Sequence, residues 1–92
     1  MKKTRFIKIV GETPESKVLE YFIRFGVEER INTIADIMEY AHVGKSRLYE
    51  VLNNLVKVKL ITKGKIIGRS HTFNVNKKSP IFIKAKEFYY VV

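Results

Sequence analysis

Two short amphipathic segments meet near the middle of this chain across a gap of three or four residues, and that spacing constrains its fold more than any other feature. Thr33 offers an N-cap hydroxyl with Asp36 three residues on, a close relative of the capping box. Ile34, Ile37, Met38 and Ala41 then recur at helical spacing, which predicts a helix ending near Tyr40 or Ala41. A second helix is expected from Gly44 or Lys45 to about Lys57, with Leu48, Val51, Leu52, Leu55 and Val56 on one side of the wheel. Ser46, Glu50, Asn53 and Lys57 fall on the opposite side, flanked by Arg47 and Asn54. Helices joined this closely cross at a steep angle, and the second of such a pair is suited to the major groove of DNA.

The flanking segments can be read in the same way. Thr13-Pro14-Glu15-Ser16 supplies a capping hydroxyl, a proline at the first helical position and an acid in the first turn. Val18, Leu19, Phe22 and Ile23 continue it as one buried stripe, so a helix is expected over about 14–25, with Gly26 as a left-handed exit. Before it, Arg5 to Val10 is β-rich and predicts a short strand or arm closed by Gly11, while Glu28-Glu29-Arg30 makes a polar connection after it. Downstream, Leu60-Ile61-Thr62 and Lys65-Ile66-Ile67 look extended, and His71 to Val75 alternates over its second half, which predicts a hairpin over about 60–75. Gly68-Arg69-Ser70 suits its turn, with Gly64 as the alternative. From Pro80 the tail reads as a helix, with Ile81, Ala85 and Phe88 at i, i+4 and i+7 and Phe82 and Tyr89 beside them. Alternation of Ile81, Ile83 and Ala85 with lysines keeps a strand open.

Ninety-two residues enclose one core and little more, so a single α+β domain over 1–92 is expected, with scant room for a catalytic cavity. The chain has no cysteine, hence neither disulfide nor thiolate metal site. No stretch approaches the ~20 apolar residues of a membrane span, and the amino terminus lacks a secretory h-region, which predicts a cytoplasmic protein. Charge is the more telling quantity. Lys and Arg number 18 against 9 Asp and Glu, and the balance is +1 through Glu50 but +8 from Val51 onward. So one-sided a surface attracts polyanions, nucleic acid first.

In order and spacing the chain resembles the small archaeal winged helix-turn-helix transcriptional regulators across nearly its whole length. The resemblance is carried by Val10-Gly11-Glu12-Thr13-Pro14-Glu15, Thr33-Ile34-Ala35-Asp36-Ile37, Leu48-Tyr49-Glu50-Val51 and Ile67-Gly68-Arg69-Ser70, then by Asn76 and Pro80. It implies a three-helix core with a hairpin wing, a short N-terminal strand and a closing C-terminal helix. Two departures stand out, because that family usually has glycine where this chain has His42 and Lys59, positions that favour a left-handed backbone.

For function, these features predict a sequence-specific duplex DNA-binding regulator that uses the helix over about 44–57 in the major groove. Free N–H groups at its start favour phosphate. Lys45 is the candidate for the backbone, with Ser46 and Arg47 for base edges, Arg47 by a bidentate contact with guanine. Tyr49 either packs or reaches a phosphate, Asn53 can read adenine, and Glu50 pairs with Arg47 or Lys57 or accepts from cytosine. On the wing, Arg69 suits the minor groove or flanking phosphates, supported by Lys63, Lys65, Ser70 and His71. Thr33 completes the set. The apolar residues of 80–92 suggest a homodimer. His42 and His71 have no carboxylate pattern around them, so no metal, cofactor, small-molecule ligand or enzymatic role is expected. A winged-helix protein-interaction module and an RNA-binding protein are the alternatives.

Overall fold

The computed structural model describes residues 3–26 and 31–92, so the connection expected at 28–30 lies outside the described residues. Its elements are α1 (Arg5–Val10), α2 (Pro14–Phe25), β1 (Asn32–Thr33), α3 (Ile34–Ala41), α4 (Lys45–Lys57), β2 (Ile61–Lys63), β3 (Thr72–Val75) and α5 (Pro80–Val91).

The first element corrects the expected N-terminal strand, since Arg5–Val10 is helical. The Thr4 hydroxyl caps it by accepting from the Ile7 N–H at 3.2 Å. A helix also lets the neighbours Phe6 and Ile7 both enter the core, which a strand would split between two faces. Phe6 packs against Phe88 and Tyr89 of α5, with ring centroids 6.0 and 5.4 Å apart. Tertiary burial thus overrides the β-propensity of the segment.

At the start of α2 the expected cap is present and reciprocal. Thr13 Oγ1 accepts from the Ser16 N–H at 3.0 Å, and Ser16 Oγ accepts from the Thr13 N–H at 2.9 Å. Its end differs from expectation, because Gly26 is right-handed, with φ −70° and ψ −19°. Glycine is needed there for space. A Cβ would lie 2.4 Å from Val75 Cγ2 and 2.6 Å from the Phe22 carbonyl oxygen.

The sheet order is β1-β3-β2, antiparallel throughout, with Asn32 opposite Phe73 and Ile61 opposite Val75. The extra strand therefore comes from 32–33 rather than from the amino terminus. Asn32 is fully buried and ties the sheet to α2. Its Oδ1 accepts from the Tyr21 hydroxyl at 3.0 Å and its Nδ2 donates to the Phe73 carbonyl at 3.2 Å.

Val18, Phe22, Ile23, Ile37, Leu48, Val51, Leu52 and Ile61 form the centre of the core, contributed by α2, α3, α4 and β2. Both left-handed positions are occupied as expected, His42 at φ 52° and Lys59 at φ 62°. Lys59 completes a Schellman ending for α4, with its N–H on the Val56 carbonyl and the Leu60 N–H on the Leu55 carbonyl, each at 3.0 Å. The tail is the helix and not the strand, but its buried edge is Phe82, Ala85 and Tyr89, while Ile81 and Phe88 are exposed.

One buried acid joins three helices. The Glu20 carboxylate accepts from the Thr4 hydroxyl before α1 and from the Tyr40 hydroxyl of α3. Burial first, and then that bond to Glu20, push the Tyr40 hydroxyl up to about 12 from its ordinary 10.0. Its neutral form is the bonded one, so what it adds to stability holds below pH 10.0 and is lost as the pH rises through about 12.

Candidate nucleic-acid interface

The turn after α3 leaves α4 with an exposed outer face. Its N-cap is Gly44, which has no side chain to cap the first turn, so the leading N–H groups are without a side-chain acceptor. Leu48, Val51 and Leu52 anchor the inner side. That fixes Ser46, Glu50, Asn53 and Lys57 outward, all exposed, with Lys45 and Tyr49 along the edge nearer the hairpin.

The hairpin projects beside that edge. Its ladder runs from Ile61–Val75 to Lys63–Phe73 and extends through the Gly64 N–H on the Thr72 carbonyl at 2.8 Å. At the tip Ile67 and Ser70 exchange two backbone hydrogen bonds of 2.9 Å around Gly68 and Arg69. Gly68 has φ 61°, the positive value that a two-residue hairpin loop demands at its first central position. The turn is therefore at 68–69, and Gly64 lies within the rising arm.

Two adjoining hollows lie between helix and hairpin. One, of about 230 Å³, is lined by Ile34, Ala35 and Met38 of α3, Lys45 and Tyr49 of α4, and Arg69, Ser70 and His71. The other, of about 280 Å³, is lined by Tyr49 and Asn53 together with Lys63, Gly64, Ile66, His71, Thr72 and Phe73. Tyr49 and His71 meet edge to face at the seam, centroids 6.2 Å apart. No acidic residue lines either hollow among the described residues.

Seven of the eleven candidates thus converge: Lys45, Tyr49, Asn53, Lys63, Arg69, Ser70 and His71. Ser46 is exposed on the outer face, and Lys65 is exposed on the rising arm. Thr33 is already engaged, its Oγ1 accepting from the Asp36 N–H at 3.2 Å to cap α3. Arg47 stands apart on the side nearer α2, held by Glu15 at 2.9 Å and Glu50 at 2.8 Å. The bond to Glu50, followed by the charge of Glu15, raises its pKa further. Pairing with Glu50 was legible from their spacing. The pairing with Glu15 was not, because it spans two helices. Ala35, Met38 and Ile66 are lining residues that sequence reasoning missed, since Met38 reads as part of the buried stripe and neither an alanine nor an apolar residue of an extended arm carries a signal of facing a cleft.

Helices α3 and α4 joined by a tight turn, α2 behind them and a β-hairpin beside the second helix define a winged helix-turn-helix fold. Solved structures of similar fold include ZitR of Lactococcus lactis in complex with DNA, 18% identical at a TM-score of 0.59, over 82% of this chain and 52% of that one. The transcriptional regulator Tm0710 from Thermotoga maritima is 14% identical at a TM-score of 0.61, over 90% of this chain and 57% of that one. A cysteine-to-serine mutant of ZitR is 16% identical at a TM-score of 0.59, over 99% of this chain and 57% of that one. The chain therefore spans little more than half the length of these proteins, and at such identities the likeness is one of fold. No family model matches the chain, and no curated protein sequence matches it. No helix among the described residues is long and apolar enough to cross a membrane.

Proposed function

We propose that this chain is a sequence-specific duplex DNA-binding regulator of transcription, with α4 in the major groove and the hairpin on the flanking backbone or minor groove. One observation carries the reading: Lys45 and Tyr49 of α4 share one hollow with Arg69 and His71 of the hairpin, Tyr49 and Asn53 share the next with Lys63 and His71, and no acid among the described residues lines either. A duplex that receives α4 then presents its backbone to the hairpin. The DNA seen with ZitR and the order of motifs shared with small archaeal regulators support the same assignment.

Lys45 and the uncapped first turn of α4 face a phosphate in this arrangement, and Ser46 and Asn53 face base edges. Arg47 reaches guanine by exchanging Glu15 and Glu50 for it. Exposed ion pairs are weak in water, so the exchange costs little beside a bidentate base contact. Arg69, Lys63, Lys65, Ser70 and His71 hold the backbone, and Thr33 fixes the start of α3. The whole chain acts in the cytoplasm as one domain. A second copy docks through α5, where Ile81, Ile83, Phe88, Tyr90 and Val91 are exposed, so that two half-sites are read about one helical turn apart.

Selection from a random duplex pool should return a palindromic consensus, and the protein should sediment as a dimer at micromolar concentration. Arg47→Ala should relax preference at one position, whereas Arg69→Ala should weaken all sites alike. A pool without enrichment, or better competition by RNA than by duplex DNA, would overturn the assignment. A monomer in the centrifuge would remove the dimer alone.

A further inference from the structure

The hairpin tip carries two large apolar side chains in water. Ile66 is 62% exposed and Ile67 49%, adjacent to each other and followed by Gly68 and Arg69. Nothing in the proposed phosphate contacts uses them. On a strand edge such residues are a liability for association, and a chain that retains them at a protruding tip has a surface that gains by being covered.

The support beneath them is stiff. Ile67 and Ser70 close the loop with two hydrogen bonds of 2.9 Å, and Thr72 Oγ1 donates to the Lys65 carbonyl at 2.5 Å, which ties the rising arm to β3. Side chains on such a support lose little freedom when they are buried by a partner.

Charge selects the partner. Lys63 and Lys65 precede the pair along the hairpin and Arg69 follows it, and the chain from Val51 to Lys86 contains no acid at all. An occupant has to combine dense negative charge with a recessed apolar surface, and the DNA minor groove does so, with phosphates on its rims and sugar C–H groups on its walls. Apolar side chains entering that groove also pry apart base steps and kink the duplex toward the major groove.

We infer that the hairpin tip is an apolar wedge: Arg69 and the lysines seat it on the minor groove, and Ile67 with Ile66 packs on the sugar walls and opens a base step there. This rests on the DNA-binding reading above and adds a second source of selectivity. Flexible pyrimidine–purine steps bend at least cost, so the flank under the hairpin prefers TA or CA/TG steps with no hydrogen bond to any base. The bend swings the neighbouring major groove onto α4.

Ile66→Thr with Ile67→Thr tests it, since threonine keeps the β-branching and both residues are exposed. Thermal melting of the variant should match that of the native protein, and Ile67→Thr alone serves should the double variant melt early. Affinity for the selected duplex is measured against salt, and bending by energy transfer between dyes at the duplex ends. The native protein should bend the duplex by roughly 20–90°. The double variant should bind about tenfold more weakly with an unchanged salt slope, lose the bend, and cease to distinguish a TA step from an A-tract in the flank. Native binding without bending, or a variant equal to native in affinity and bend, would overturn the wedge while leaving DNA binding intact. Failure of the native protein to bind any duplex would overturn both.

Discussion

Gly26→Ala should lower stability by about 3 kcal/mol, at the upper end of overpacking costs, which for a chain of this size is a fall of roughly 12–24 °C in Tm. Its backbone conformation suits alanine, so on local grounds the substitution should stabilise. Space decides otherwise. The new methyl would lie 2.4 Å from Val75 Cγ2 and 2.6 Å from the Phe22 carbonyl oxygen, and the second of these is backbone that cannot rotate away. Thermal melting of Gly26→Ala, Val75→Ala and the double variant separates the two contacts. Val75→Ala should restore part of the loss, because it removes one obstacle and leaves the other, and the two substitutions should therefore be non-additive. A loss below about 1 kcal/mol would mean that α2 and β3 slide apart freely. That outcome would matter for the fold, since Gly26 is where the end of α2 meets Val75 at the base of the hairpin.

The same junction shows how much of the structure the sequence carried. Capping is local chemistry, so Thr13, Thr33 and Gly44 could be read as helix starts and each is one. Left-handed turns are local too, and His42 and Lys59 adopt them where the family resemblance placed glycine. What failed depended on partners distant in sequence. The strand expected at 5–10 became a helix because Phe6 finds Phe88 and Tyr89 more than eighty residues away. Asn32 has poor β-propensity and still lies in the sheet, because its amide finds Tyr21 and Phe73. Gly26 was assigned the wrong conformation, since its need for space comes from Val75. In the candidate site the hairpin cations and the α4 edge were legible from charge and periodicity. The engagement of Arg47 by Glu15 was not, because no spacing rule joins α2 to α4.

Replacing Lys63, Lys65 and Arg69 together with alanine should weaken binding to the selected duplex roughly a hundredfold at about 0.15 M salt. Each phosphate contact adds about 0.9 to the slope of log K against log salt, so three add about 2.7, and that dependence projected to 0.15 M gives the loss. All three side chains are exposed, and the hairpin is held by backbone hydrogen bonds, so melting should be unchanged. The slope is the decisive readout. A fall of about 2.7 with the consensus retained would mean that the hairpin supplies affinity and α4 the sequence preference. An unchanged slope would show that the phosphates are met elsewhere, with Lys57, Lys77 and Lys78 the next exposed cations to replace. A changed consensus with an unchanged slope would give the hairpin cations base contacts and invert the division between the two elements. Those outcomes also bear on Arg47, because a hairpin that holds the duplex by charge alone leaves discrimination to whatever α4 can present. On α4, Arg47 alone carries the planar fork that the proposed bidentate contact with guanine requires, and in the structure that fork is engaged by Glu15 and Glu50 on the flank of the helix.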